Sequence, residues 1–404
     1  MLSTEPSALA LFFTEKLPRI LFSLISKSCG SKGVDLVKKV TDKFLVLLYL
    51  VVVLGAWSVM FTYGYAFMER SPHVDSRHKL SGYVVFLTCM WSWRKAGSSS
   101  PGYITERSIP KYDNYPYDNL LYAKKKCPTM GFRKLPRSKY DRYTNRHVAR
   151  FDHFCGWIDN TVGEENYRFF LLFLLVHIGM CLYGTIVTYH LFNGEIQDMD
   201  LFNAVFYNAE TGEEVQADFW VVSHFMFMKH FQLCGVFVLM GAMTLVLGLF
   251  FLFHLYMASK GMTTNEYYKW RQVKTWHKKE THKFMEAVLE GKMKDVRLNS
   301  QNEHAGIGEM PDVDVGCVGP IDPGTKSTSK DEQRPNNSNT DIMDPGPFPK
   351  NIYDLGAVEN LKEIIFPRSL RLDAKERYAT ALRSARSEAS TASNVEASKK
   401  TKNT

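Results

Sequence analysis

The chain has 404 residues, 45% of them hydrophobic, and its 50 Lys and Arg against 42 Asp and Glu leave a formal charge of +8. The apolar residues are gathered into long runs and the basic ones flank them. That pattern orients spans in a membrane and leaves no aromatic–basic module for nucleic acid. The seven cysteines (Cys29, Cys89, Cys127, Cys155, Cys181, Cys234 and Cys317) lack framework spacing, which argues against a secreted disulfide scaffold.

Residues 1–43 form a basic arm with two apolar patches, Leu9–Phe13 and Ile20–Ile25, broken by Glu15, Lys16 and Arg19. A signal peptide would place its charges before one continuous apolar stretch, so the arm reads as cytosolic and amphipathic, lying on the leaflet. Residues 44–67, 169–192 and 230–257 are each long enough to cross a hydrocarbon core of about 30 Å. His177, His190 and His254 are their main polar interruptions. Residues 81–97 are a weaker span: the apolar stretch Gly82–Trp93 is short and Arg94 and Lys95 follow at once. Alone it reads equally as an interfacial helix or a core strand.

Charge arbitrates. Residues 98–168 are crowded with Lys and Arg, residues 193–229 carry Glu195, Asp198, Asp200, Glu210, Glu213, Glu214 and Asp218 against Lys229, and residues 258–297 are basic again. The positive-inside rule then puts both termini and the basic loop in the cytosol and the acidic loop in the lumen, which needs an even number of crossings. The expected fold is an all-α polytopic membrane protein with four transmembrane helices and a small irregular cytosolic loop domain, residues 98–168, between spans 2 and 3. Beyond the last span, residues 298–345 have a disordered composition. Residues 346–371 hold an apolar island, expected either to dock on the membrane-proximal body or to serve as a partner-binding motif. Residues 372–404 read as a basic tail, with room for a helix from Ala374 onward and then a frayed, disordered end.

The segment Arg150-Phe151-Asp152-His153-Phe154-Cys155-Gly156-Trp157 places an acid, an imidazole and a thiol within four positions. A thiol near a histidine is more often a buried structural residue than a nucleophile. A carboxylate-held histidine, however, is the usual device for making a thiolate, and the span that follows puts this thiol at the membrane surface. Those surroundings favour chemistry on acyl chains.

The stretch from Val148 to Phe169, VARFDHFCGWIDNTVGEENYRF, resembles the signature of the DHHC protein S-acyltransferases. Asp152, His153, Cys155, Trp157, Asn160, Gly163, Asn166 and Tyr167 stand at the matching spacing. The resemblance covers roughly Phe44 to Tyr268. It implies that a palmitoyl or other long acyl chain passes from acyl-CoA to Cys155, and from there to a cysteine of a cytosolic or membrane-associated protein. His153 would be the general base and Asp152 its anchor, with Asn160 and Trp157 supporting. It also implies residence in the endoplasmic reticulum or Golgi. Thr263-Thr264-Asn265-Glu266 is similar to the family's Thr-Thr-x-Glu motif, whose second Thr, here Thr264, would touch Asp152. The same pattern is also a helix capping box. Ser100-Pro101-Gly102 stands where the family has Asp-Pro-Gly.

The resemblance fails over metal. The family folds this loop around two zinc ions, and the matching positions here are Cys127, Met130, Tyr140 and His147 for one and Asp141, Thr144, Phe154 and Thr161 for the other. Cys127 and His147 are good ligands and Asp141 a weak third, whereas structural zinc takes four. The expectation is a loop without zinc, held by packing around Met130, Tyr140 and Phe154. Phe154 occupies the family's second His, which serves zinc rather than proton transfer. Two rival readings remain: a catalytically silent scaffold that binds clients, and a transporter. The second is weak, because the spans hold no paired charges.

Overall fold

The computed structural model describes residues 43–207, 211–289 and 344–401, and side chains as far as Ser387. The arm expected to be amphipathic and most of the stretch expected to be disordered lie outside the described residues.

Three helices are long and apolar enough to cross a membrane: α1 (Phe44–Arg70), α4 (Tyr167–Asp198) and α6 (Phe231–Ser259). Each starts within about three residues of its expected position, and α1 and α4 run past their expected ends. A π-helical turn, Met60–Gly64, interrupts α1, a place where an extra residue is accommodated by local widening. The fourth expected span is a helix, α2 (Arg77–Ser98), of 22 residues. It meets the length requirement but not the apolar one. Leu80, Tyr83, Val84, Leu87 and Trp91 form its exposed apolar side.

Aromatic rings bind α1 to α2. Phe61 stacks on Tyr83 at 4.8 Å, and Trp57 meets Phe86 edge-on at 5.2 Å. The Tyr65 hydroxyl donates to the Lys79 carbonyl at 2.8 Å and occupies the space a Cβ on Gly82 would need. A larger residue at position 82 would push the two helices apart. Helix α4 packs against both α2 and α6, so it is the central element of the bundle.

On the bundle's basic side lies the loop domain. Strands β1 (Tyr103–Ile104), β2 (Lys139–Asp141) and β3 (Arg146–Val148) form an antiparallel sheet in the order β1-β3-β2, and a four-residue helix, α3 (Ile109–Tyr112), sits beside it. Strands β4 (His153–Cys155) and β5 (Asn160–Val162) form a separate hairpin. At the opposite end, β6 (Phe206–Tyr207) and β7 (Glu214–Val215) pair. Helix α5 (Phe219–Lys229) follows and runs into α6 through His230 alone.

Helix α7 (Thr264–Leu289) leads away from α6. The C-terminal segment returns to the body, as the apolar island led one to expect. Asn360 in α8 (Ala357–Ile365) donates to the Ser259 carbonyl at 2.9 Å, and Ile364 is buried in the core that also holds Cys155 and Phe170. The tail carries a helix, α9 (Leu372–Thr401). Its Ala, Arg, Glu and Lys content favours helix, and Arg377 anchors its start by donating to the Pro110 carbonyl at 3.2 Å.

Candidate active site

The catalytic-type segment is shaped by the β4–β5 hairpin, in which His153 faces Val162, Phe154 faces Thr161 and Cys155 faces Asn160. Alternation along a strand puts His153 and Cys155 on one side and Phe154 on the other. Asn160 fixes the hairpin to the end of α2, where last-turn carbonyls lack helical partners. Its amide donates to the carbonyls of Ala96 and Ser99 at 3.1 and 2.8 Å. The Trp93 indole donates to the Trp157 carbonyl at 3.0 Å, while the Trp157 ring itself is exposed. A Cβ on Gly163 would come within 2.6 Å of the Pro101 carbonyl, so this close crossing requires glycine.

Asp152, His153 and Cys155 come together. Asp152 Oδ2 accepts from His153 Nδ1 at 2.6 Å, and Cys155, on the same side of the strand, is close enough to favour the charged imidazole. Thr264 completes the anchor: its backbone N–H donates to Asp152 Oδ1 at 2.6 Å and its hydroxyl to Oδ2 at 2.9 Å. Burial by itself disfavours the His153 cation, but the hydrogen bond to Asp152 and the nearness of Cys155 outweigh it and hold the imidazole up at about 10. Burial likewise opposes the Asp152 anion, yet the bond from His153, its charge and the Thr264 N–H keep the carboxyl below its usual range.

Cys155 opens onto an apolar cavity of about 560 Å³ between the helices. Phe170, Phe173 and Phe250 line it near the thiol, and Tyr183 and Val187 stand at its far end. There the Tyr183 hydroxyl is tied to His78 Nδ1 at 2.7 Å and to the Ser81 hydroxyl at 2.6 Å.

Residues 121–271 match the family model of the DHHC palmitoyltransferases. The palmitoyltransferase SWF1 of Yarrowia lipolytica is 30% identical over 317 residues, which is 71% of this chain and 70% of the relative. The chain belongs to the DHHC palmitoyltransferase family. Palmitoyltransferase swf1 of Schizosaccharomyces pombe is 28% identical over 57% of this chain and 60% of its own length. Palmitoyltransferase ZDHHC4 of Mus musculus is 28% identical over 44% and 53%. The chain is a protein S-palmitoyltransferase.

At one set of zinc positions in this DHHC chain, Asp141, Thr144 and Thr161 hydrogen-bond one another instead of presenting ligands. The hydroxyls of Thr144 and Thr161 both donate to the Asp141 carboxylate. Phe154 stacks flat on Tyr143 with ring centres 4.3 Å apart. At the other site Cys127 is buried and His147 fully so, its two nitrogens without partners. Burial, with Lys134 nearby, pushes His147 down to about 4, so it is neutral. Its ring packs 5.3 Å from Phe132 and 6.3 Å from Tyr140, while Met130 is exposed. No group of three or more His, Cys, Asp or Glu gathers among the described residues. Two such donors and a hydroxyl-bound carboxylate do not fit a four-ligand zinc site.

Sequence reasoning passed over two features of the DHHC site. The first is Arg137, fully buried, which donates to Glu266 through Nε at 2.8 Å and Nη2 at 2.7 Å. Glu266 in turn accepts from the Thr263 N–H at 2.9 Å, and its own N–H donates to the Thr263 hydroxyl at 3.2 Å. The Thr-Thr-x-Glu segment is thus both a capping box and the anchor of Asp152. The Arg137 carbonyl accepts from the Phe151 N–H at 3.0 Å, closing a loop of contacts back to Asp152. Tyr353 of the C-terminal segment lies over the guanidinium at 4.8 Å. The second is His254, an expected interruption of the last span, whose ring stands 5.7 Å from that of His153. The sequence marked it as a polar interruption of the span but did not reveal its nearness to His153, since it lies 99 residues beyond Cys155 in an otherwise apolar helix.

Proposed function

We propose that the enzyme works through an acyl-Cys155 intermediate in two half-reactions, with a long-chain acyl-CoA as donor. The Cys155 thiol passes its proton to His153, and the sulfur attacks the thioester carbonyl. As the C–S bond to CoA breaks, His153 returns the proton to the departing thiolate. A cysteine thiol of a protein substrate then gives its proton to His153 and attacks the acyl-Cys155 carbonyl. The acyl chain moves to the substrate, and Cys155 leaves and is reprotonated. Each step exchanges one thioester for another, so the task is to lower a barrier rather than to drive an unfavourable reaction. Asp152, fixed by Thr264, keeps the imidazole in one tautomer and stabilises its charged form. The observation that carries this reading is the Asp152–His153–Cys155 alignment at the mouth of an apolar cavity.

The cavity supports a chain of palmitoyl length. Phe170 and Tyr183, thirteen positions apart on α4, are separated along the axis by about 20 Å, close to the length of an extended palmitoyl chain. Four crossings with both termini cytosolic remain the topology that the charge distribution favours. Helix α2 has 22 residues, about 33 Å of helix, and an apolar outer side to set against lipid. An endoplasmic reticulum or Golgi membrane is the proposed compartment. We also propose a loop domain that holds its shape without structural zinc.

The deciding experiment incubates purified protein with palmitoyl-CoA. Wild type forms a hydroxylamine-sensitive adduct, and Cys155→Ser forms none. Equal labelling of the two would move the reactive thiol elsewhere. Loading without Cys155-dependent transfer to a co-expressed client would favour the scaffold reading.

A further inference from the structure

We infer that His254 donates a hydrogen bond from Nε2 to the carbonyl oxygen of the thioester undergoing exchange at Cys155. The inference rests on the acyl-Cys155 reading and extends it.

His254 lies in the last turns of α6 and is 1% exposed. Three rings surround it: Phe250 at 4.6 Å, Phe170 at 5.1 Å and His153 at 5.7 Å. Phe170 and Phe250 line the cavity together with Cys155, and His254 packs directly behind these two rings, beside His153. Its Nδ1 is 2.9 Å from the Tyr167 hydroxyl, which has no other hydrogen bond. The phenol proton has one acceptor within reach, and that acceptor is Nδ1. The network therefore assigns Tyr167 as donor and leaves the His254 proton on Nε2.

Among the described residues that N–H has no hydrogen-bond acceptor. A donor left open on an otherwise buried ring is available to a bound ligand. The other polar side chains around Cys155 are committed: His153 is held by Asp152, and Thr264 holds both oxygens of Asp152. An acyl chain seated in the cavity brings its thioester carbonyl to this place. When sulfur adds to that carbon, the carbonyl π pair moves onto oxygen; when the pair returns, the other sulfur leaves. A fixed neutral donor is worth most while that oxygen carries charge.

The test measures single-turnover acylation by palmitoyl-CoA in full-length protein. Loss of one such donor typically costs a factor of about 10²–10³ in rate. His254→Phe is expected to slow acylation about a hundredfold, with KM for palmitoyl-CoA within about twofold of wild type. His254→Gln, which keeps an N–H near the Nε2 position, is expected to recover at least about tenfold of that loss. An infrared spectrum of the acyl-enzyme carrying a ¹³C carbonyl gives a readout that a packing role would not move. The carbonyl band of wild type should lie below that of His254→Phe, or below that of Tyr167→Phe where His254→Phe does not fold. Unchanged acylation in a folded His254→Phe, a Gln variant no faster than Phe, or identical carbonyl bands would overturn the assignment. Labelling of Cys155→Ser would instead bring down the underlying reading.

Discussion

Thr264 grips both oxygens of Asp152, one through its backbone and one through its hydroxyl. The two residues are 112 positions apart, and the contact fastens the start of α7 to the lead-in of the β4–β5 hairpin. Thr264→Val keeps the backbone bond and removes the other, which is charge-assisted and shared with the oxygen that holds His153. Acylation should fall about tenfold, equivalent to about 1.4 kcal/mol of barrier, and Thr264→Ser should restore it. A Val variant as fast as wild type would remove Thr264 from the catalytic account.

The Asp152–His153 pair gives stability a pH window. His153 sits at about 10 against an ordinary 6.5. A raised folded value means that its contribution is fully present below about 6.5 and is lost as pH climbs through about 10. Asp152, held below its ordinary 3.8, acts in the opposite sense: its contribution is present above that value and is lost on acidification. Melting temperature should therefore decline from about pH 7 to about pH 10, and His153→Gln should flatten the decline. An unchanged slope in that variant would assign the alkaline loss to other groups.

Breaking the buried pair Arg137–Glu266 should be costly. Glu266→Gln leaves a guanidinium with 0% exposure facing a neutral amide, and removing one partner of a buried pair costs about 3–5 kcal/mol. The C-terminal segment should loosen as well, because Tyr353 packs on that guanidinium. Melting and limited proteolysis near Tyr353 read the two effects. Wild-type stability with an intact C-terminal segment would show that the pair is replaceable.

A loop that holds its shape without zinc, as proposed, should keep its stability in the presence of chelators, and acylation should be equally unaffected. Phe154→Ala removes the stack on Tyr143, at a cost of about 1–3 kcal/mol for a half-buried aromatic. Asp141→Ala strands the Thr144 and Thr161 hydroxyls and should add a similar loss. Elemental analysis finding zinc in stoichiometric amount would reject this account and make Cys127, His147 and Asp141 the first ligands to test.

The parts of the site that lie close together in sequence were the legible ones. Asp152, His153 and Cys155 fall within one strand and its lead-in, so their spacing carries their geometry. The apolar runs carry three helices for the same reason: composition over one local window decides them. The second helix was harder, because its outward apolar side is interleaved with residues that face α4, and composition averages the two. Arg137 and Glu266 were invisible as a pair, being brought together only by the closure of the loop domain on α7. His254 looked like a blemish in a span because its meaning depends on which way α6 is turned. The tail's polar composition suits solvent equally well as coil or as helix, so the extent of α9 was not legible.

The strap formed by Asn351, Tyr353, Asn360 and Ser369 bears on the order in which the molecule is made. Asn351 donates to the Lys260 carbonyl at 3.0 Å, and the Ser369 N–H donates to Glu164 at 2.8 Å. Cys155 leaves the ribosome long before any of these partners exists. While the remainder is being translated, a nascent chain already inserted in the bilayer would hold a reactive thiol whose supporting scaffold is unfinished. The strap therefore joins the scaffold well after the thiol has reached the membrane, and a chain halted ahead of it lacks these contacts.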